Sequence, residues 1–375
     1  MRIVIITGEA SGDMYGSLLA RELKRLAKDV QLAGVGGQSM RAAGVDIFLD
    51  SSSISVVGIW EAIVRLGSLR RAMNRIKARI ASLRPDLLVL IDYPGMNLRL
   101  ACFAKRLGIK VMYYVSPQVW AWGRSRIRTV KKCVDKMVVI LPFEAEIYRR
   151  EGVDVTYVGH PLIDIVKTGL DRDSFLAKHG LSGERRRVAL LSGSRRQEIR
   201  QHLEPLLGAA AILSGKLGDL DFVMVTLPEF EGMVRDAIAR SGLPVRVITD
   251  FRYEAIAYSD LAIMCSGTVT LEGALLGTPM IVIYRLSPLS WAVGRMIIRV
   301  PYISLVNLVA REEVVREFIQ GEAQAEPLAT EALRILSDEP RRRHMIGRLQ
   351  QVRSQLGAGN ATSKAAEIAL SLARQ

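Results

Sequence analysis

Residues 1–13 read MRIVIITGEASGD. The run Arg2–Thr7 is apolar and rich in Ile, the composition of a strand buried on both faces. The turn Gly8-Glu9-Ala10-Ser11-Gly12-Asp13 follows, and an amphipathic stretch around Gly16–Lys28 comes next. Strand, glycine turn and helix make the opening unit of a βαβ fold. The unit recurs along the chain. Apolar runs at Leu87–Ile91, Val111–Val115, Met137–Leu141 and Val155–Val158 alternate with helical patterns such as Ala62–Leu83 and Leu98–Leu107. A polar stretch from Lys167 to Arg187 then interrupts the pattern and reads as a connection. A second series runs through Val188–Leu191, Phe222–Thr226, Val245–Ile248, Leu261–Met264 and Met280–Tyr284, and helices follow from Pro327. The expectation is an α/β protein of two Rossmann-like domains facing a central cleft, 1–165 and 166–355, with a helix at about 356–375 packing back on the first. In such sheets ligands sit beyond the C-terminal strand ends, so chemistry is sought in those loops.

Bulk properties narrow the class. The chain has 375 residues, of which 49% are hydrophobic and 24% charged, which is a globular composition with room for two cores. A net charge of +14 predicts anionic partners. Its mean hydropathy of +0.19 is high for a nucleic-acid binder and suits an anionic membrane surface better. No apolar run approaches the ~20 residues of a membrane span, and the first residues lack a signal-peptide pattern, so a cytoplasmic protein resting on a membrane is expected. Cys102, Cys133 and Cys265 have no metal spacing, and their odd number argues against a disulfide framework. The four histidines form no close pair, so no structural metal is expected.

Several strand-end loops carry candidate residues. Glu9, Ser11, Gly12 and Asp13 stand in the first loop, where two acids disfavour a phosphate and favour hydroxyl or amine contacts; a plain turn is equally compatible. Asp92 ends the run Leu87–Ile91 and is followed by Tyr93-Pro94-Gly95, as either a general base or a turn former. Ser116, Trp120 and Trp122 lie in SPQVWAWG (116–123), which holds half of the four tryptophans and reads as a sugar- or acyl-binding wall or as a local apolar cluster. The basic residues Arg124, Arg126, Arg128, Lys131 and Lys132 follow it. In the second half, Gly193-Ser194-Arg195 and Ser266-Gly267-Thr268 are two phosphate-type turns between strand and helix, with Glu272 one turn further on and suited to ribose hydroxyls. His160, in Gly159-His160-Pro161, is an alternative base or a packed hinge residue. The triplets Asp171-Arg172-Asp173 and Asp219-Leu220-Asp221 read as solvated turn acids ahead of metal ligands.

The order of these segments resembles the lipid-A-disaccharide synthases of Gram-negative bacteria. The matching stretches are GEASGD (8–13), IDYPGMN (91–97), YVSPQVWAW (114–122), LPFE (141–144), GHP (159–161), GSR (193–195), SGTVTLE (266–272) and YISLVNL (302–308). The resemblance implies the GT-B fold, with the acceptor and acyl chains on the first domain and the UDP-sugar donor on the second. It implies inverting transfer of 2,3-diacylglucosamine from UDP to 2,3-diacylglucosamine 1-phosphate, giving a β-1′,6-linked disaccharide phosphate and UDP. Asp92 matches the essential aspartate; Arg195, Ser266, Gly267, Thr268, Glu272 and Asn307 match donor-side positions, and Asn307 is singled out only by the resemblance. Ser192 departs from the pattern, where relatives carry Pro, as do Gly95 and Met96, where others carry Asp and Phe. No cofactor or metal is implied. The expected partners are a UDP-sugar, an acylated glucosamine phosphate and an anionic inner-membrane surface; nucleic acid is not expected, and a homodimer is open. The apolar segment Ile54–Leu66, with Val57 and Trp60, is expected to line the acyl site, to dip into the membrane or to be an ordinary core helix. A UDP-sugar 2-epimerase of the same plan and a non-catalytic surface binder are the competing readings.

Overall fold

The computed structural model describes residues 1–53, 66–120, 123, 125–287, 291 and 300–375. Val57, Trp60 and Trp122 therefore lie outside the described residues, with most of the 54–66 segment. The chain forms two compact units: Met1–Pro161 with Leu356–Gln375, and most of the residues between, from Leu162 to Gln355.

The first unit holds strands β1 (Arg2–Ile6), β2 (Gln31–Gly36), β3 (Asp46–Asp50), β4 (Leu87–Ile91), β5 (Lys110–Tyr114), β6 (Lys136–Val139) and β7 (Val155–Tyr157). They pair in parallel in the order β3-β2-β1-β4-β5-β6-β7. The chain moves outward from β1 to β3, then returns to the other side of β1 with β4. The loops after β1 and β4 thus diverge at the switch point, where open α/β sheets bind ligands. Ile3–Ile6 and Leu87–Ile91 are fully buried, which is why both runs are continuous in apolar residues. The helix Ala361–Ala373 packs against the helix Ala10–Leu26 and against β4 and β5.

The second unit holds β8 (Arg186–Leu191), β9 (Leu220–Val225), β10 (Val245–Ile248), β11 (Leu261–Cys265), β12 (Met280–Tyr284) and β13 (Glu317–Ile319). Their order is β10-β9-β8-β11-β12-β13, again all parallel. Here the switch point lies between β8 and β11.

Three features differ from expectation. The stretch Lys167–Arg187 is no loose connection. Asp171 caps the helix Arg172–His179 by accepting from Ser174 N–H at 2.9 Å, and Phe175 of that helix is fully buried. The Glu254 carboxylate ties the entry down by accepting the N–H groups of Gly169 (2.5 Å) and Leu170 (3.1 Å). Next, β2, β3 and β13 are strands beyond those expected from the sequence. In β2, QLAGVG, a Cβ on Gly34 would lie 2.0 Å from the Ile5 carbonyl oxygen, so close strand approach requires a glycine inside a strand. Finally, Cys102 and Cys133 form a disulfide between neighbouring helices, leaving Cys265 as the buried free thiol. An odd count only guarantees one cysteine left over.

Candidate functional site

Strain marks the switch point of the first sheet. Asp92 and Tyr93, directly after β4, have φ of +47° and +46°, and Val115, directly after β5, has +61°. Left-handed backbone in non-glycine residues costs about 1–3 kcal/mol each and persists only where surroundings over-determine it. Those surroundings are visible. Asp92 N–H donates to Val115 O at 3.2 Å. The Asp92 carbonyl accepts from Asn97 Nδ2 (2.7 Å) and from the Tyr113 hydroxyl (2.5 Å). Asn97, fully buried, also donates to Ile91 O at 3.1 Å. The Tyr93 ring closes over Gly8, where a Cβ would fall 2.3 Å from Tyr93 Cγ. The half-buried Asp92 is thus presented on a corner fixed by three strand ends.

The GEASGD loop is shorter than its sequence suggests. Glu9 is the extended N-cap of the helix Ala10–Leu26, so Ser11, Gly12 and Asp13 form its first turn. Gly12 lets that turn ride on the strand, its Cβ position lying 3.1 Å from Thr7 Cβ. Asp13 faces inward. Its buried carboxylate accepts from Gly37 N–H (2.6 Å), Ser39 N–H (2.9 Å) and Met40 N–H (3.2 Å), closing the start of the helix Gln38–Ala42. The structure therefore gives Asp13 a structural role, while Glu9, beside Tyr93, stays half-buried at the loop.

Beside this corner lies a buried polar knot. Ser116 is buried, with Oγ hydrogen-bonded to Pro117 O and to the Tyr148 hydroxyl, both at 2.8 Å. Trp120 Nε1 donates to Glu144 Oε1 at 3.2 Å, and its ring meets Phe143 edge-on at 5.4 Å. Leu141 N–H donates to Glu144 Oε2 at 3.3 Å. Burial pushes the Glu144 carboxyl up to about 8, against the pull of the Trp120, Leu141 and Ser116 bonds and with added repulsion from Asp92. Glu144 is therefore a largely neutral acid at pH 7. Asn97, Tyr113 and Glu144 lay inside or beside quoted motifs, yet no spacing rule assigned them a role. His160 is buried as well, its N–H bonded to Leu356 O at 2.8 Å and its ring 6.2 Å from Tyr15. Burial lowers its pKa to about 3, so its imidazole is neutral and weakly basic.

In the second unit the two anion-type turns leave adjacent strands, β8 and β11, which pair through Leu191 and Met264. Gly193, at φ +120°, brings the turns together: a Cβ there would lie 2.8 Å from Glu198 Cβ and 3.5 Å from Cys265 Sγ. Glu198 accepts Ser194 N–H at 3.2 Å and Arg195 Nη1 at 2.9 Å, holding the half-exposed guanidinium at the start of the helix Arg196–Leu217. Gly267, at φ +152°, has open space where a Cβ would be, directly before the helix Val269–Leu276. Glu272 is buried and accepts Arg252 Nη2 at 2.8 Å; burial raises its pKa and Arg252 opposes the rise. His202, fully buried, joins two strand ends. Arg285 N–H donates to its Nε2 at 2.9 Å, so Nδ1 carries the proton and donates to Ser192 O at 2.8 Å. Asn307 has no polar capacity left for a ligand. Nδ2 donates to Val315 O (2.7 Å) and Glu317 Oε1 (2.9 Å), while Oδ1 accepts from Val314 N–H (2.9 Å) and Val315 N–H (3.0 Å).

Among the described residues no helix is long and apolar enough to cross a membrane, and no cluster of three acidic, His or Cys side chains offers a metal site. Two all-parallel sheets of Rossmann order place this protein in the GT-B class. Solved structures bear the fold out: a UDP-GlcNAc 2-epimerase from Neisseria meningitidis superposes with a TM-score of 0.69 at 11% identity, covering 99% of this chain and 100% of that one. A glycosyltransferase from Rickettsia africae superposes at 0.60 with 14% identity, covering 99% and 98%.

Sequence comparison resolves the family within that class. Residues 3–371 match the family described as lipid-A-disaccharide synthetase. The lipid-A-disaccharide synthase of Syntrophus aciditrophicus is 44% identical over 375 residues, 100% of this chain and 98% of that one. That of Geobacter sulfurreducens is 44% identical over 372 residues, covering 99% and 97%. The chain belongs to the lipid-A-disaccharide synthetase family and is a glycosyltransferase.

Proposed function

We propose that Asp92 is the general base of the family reaction, in which 2,3-diacylglucosamine passes from UDP to 2,3-diacylglucosamine 1-phosphate. The acceptor 6-hydroxyl oxygen forms a bond to the donor anomeric carbon, the bond from that carbon to the UDP oxygen breaks, and the hydroxyl proton goes to Asp92. Attack opposite the leaving group inverts the α-linked donor to a β-linked product. The carrying observation is the corner at Asp92, held in left-handed backbone by Asn97, Tyr113 and Val115. Burial holds the nearby Glu144 carboxyl high, at about 8, so it competes poorly with Asp92 as a base. His160 is the weaker candidate, because burial makes it a poor base.

The donor belongs on the second unit. The turns Gly193–Arg195 and Ser266–Thr268 offer N–H groups, hydroxyls and the Arg195 fork to a diphosphate, stabilising charge on the leaving UDP. Glu272, paired to Arg252, suits ribose hydroxyls. The acceptor belongs on the first unit with Glu9, Ser11, Trp120 and Trp122, and its acyl chains with Val57 and Trp60. Peripheral attachment at the cytoplasmic face of the inner membrane is supported by the helix Leu66–Leu83, which has no acidic residue and exposes Arg70, Arg71 and Arg75. Vesicle sedimentation checks this: binding to anionic but not neutral vesicles, lost at high salt, is expected.

The deciding measurement is UDP release from UDP-2,3-diacylglucosamine with and without the monophosphate acceptor. Acceptor-dependent release that falls about a hundredfold or more in Asp92→Asn is expected. Acceptor-dependent release that survives Asp92→Asn overturns the assignment of the base.

A further inference from the structure

The carboxylate of Glu317, on the edge strand β13, gathers four donors from a single segment. Oε2 accepts Ile303 N–H at 2.8 Å. Oε1 accepts Ser304 N–H (2.9 Å), Ser304 Oγ–H (2.5 Å) and Asn307 Nδ2 (2.9 Å). No motif drew attention to this residue. Charge-assisted bonds of this kind are about twice as strong as neutral ones, and four on one carboxylate fix the segment in place.

What the segment touches gives the carboxylate its use. The peptide group between Ile303 and Ser304 is held at the Ser304 N–H by Glu317 Oε1, and its Ile303 carbonyl accepts Ser266 Oγ at 2.9 Å. Ser266 opens the turn Ser266–Thr268, and its own N–H is bonded to Ile283 O on β12 at 3.0 Å. Ser304 caps the helix Leu305–Ala310, and Asn307 of that helix returns to Glu317 while its remaining capacity is spent on residues 314–315. A continuous path of hydrogen bonds therefore runs from Glu317 through one peptide to the Ser266 hydroxyl.

We propose that Glu317 is a positioning residue for the donor: through Ile303 it sets the orientation of Ser266 and so the shape of the Ser266–Thr268 turn that receives the UDP diphosphate. This rests on the assignment of the donor to the second unit. Asn307 shares the task as the buried partner of the carboxylate, which gives a donor-side position a role without ligand contact.

The test is a double-mutant cycle on the full chain, with UDP as the probe in calorimetry. Glu317→Gln is expected to weaken UDP binding about tenfold and to raise the donor KM, with kcat and its pH profile unchanged. In a Ser266→Ala background, where the link to Ile303 is already cut, the same change is expected to weaken UDP binding by no more than about twofold. A general loss of stability would add fully in both backgrounds. Equal losses in the two backgrounds, or an unchanged UDP affinity with a lowered Tm, would overturn the proposal while leaving the donor site intact. A wild-type chain that binds no UDP would overturn the donor assignment itself and the proposal with it. If Glu317→Gln does not fold, Glu317→Asp, which keeps the charge but shortens the reach, enters the same cycle with the same criteria.

Discussion

Replacing Glu144 by Gln should make the protein more stable at pH 8 and less stable at pH 5. Glu144 is 2% exposed, and burial raises its carboxyl from the ordinary 4.5 to about 8. A carboxyl whose folded pKa is raised prefers to be protonated in the native state. Its favourable contribution is complete below about pH 4.5 and is lost as pH rises towards 8. That rise corresponds to at most about 5 kcal/mol of native stability forgone by pH 8. Glutamine removes the titration but has a single carbonyl oxygen, so either the Trp120 or the Leu141 N–H loses its acceptor at a cost of about 1–3 kcal/mol. The variant curve should therefore lie below the wild type near pH 5, cross it, and lie above it near pH 8. Urea unfolding followed by intrinsic fluorescence at half-unit steps from pH 4.5 to 8.5 reads both curves. A variant less stable than wild type by a constant amount across the range would refute the reading of Glu144 as a neutral buried acid.

Other expectations follow the same geometry. Asn97→Ala leaves Ile91 O without its side-chain donor and loosens the Asp92 corner, so a loss of about 1–3 kcal/mol in unfolding free energy and roughly tenfold in kcat is expected; unchanged kcat would sever Asn97 from the corner. Gly8→Ala drives a methyl into the Tyr93 ring and should cost about 1–3 kcal/mol, read as a drop in Tm, with a fall in activity because Tyr93 adjoins Asp92. Burial lowers the pKa of His202, so its contribution to stability is present above about pH 6.5 and is lost as pH falls. His202→Gln should accordingly flatten the decline between pH 6.5 and 5, and parallel curves for variant and wild type would contradict this. Arg195→Lys keeps the charge but loses the fork, and a donor KM raised about tenfold is expected from initial rates.

Much of the fold was legible because parallel strands buried on both faces must be unbroken apolar runs. Leu87–Ile91, Val245–Ile248 and Met280–Tyr284 occur as read. Where another constraint governs a strand, the run is short or interrupted. Gly34 yields its side chain to the Ile5 carbonyl, and β13 has three residues, one of them the Glu317 that serves a neighbouring loop. At the candidate site, the positions were legible but not the directions of the side chains. Strand ends are marked by composition, so Asp92, Gly193 and Ser266 could be placed. Whether a polar group faces outward depends on partners far along the chain. Asp13 is taken up by N–H groups of Gly37, Ser39 and Met40, Ser116 by Tyr148, and Asn307 by residues 314–317. Parity of cysteines likewise contains no information on which helices lie side by side, and so missed the bond between Cys102 and Cys133.

The helix Ala361–Ala373 covers a lobe whose sheet lies wholly within Met1–Pro161. On the ribosome, the first sheet is complete about two hundred residues before its cover exists, a delay of roughly 10–40 s at ordinary synthesis rates. Throughout that interval the faces later covered by Ala365, Ala369 and Leu372 stand open, and His160 lacks the Leu356 carbonyl. The second lobe, whose residues lie almost wholly between, has all it needs to fold first. The lobe whose strands are made first is thus the last to receive all of its chain.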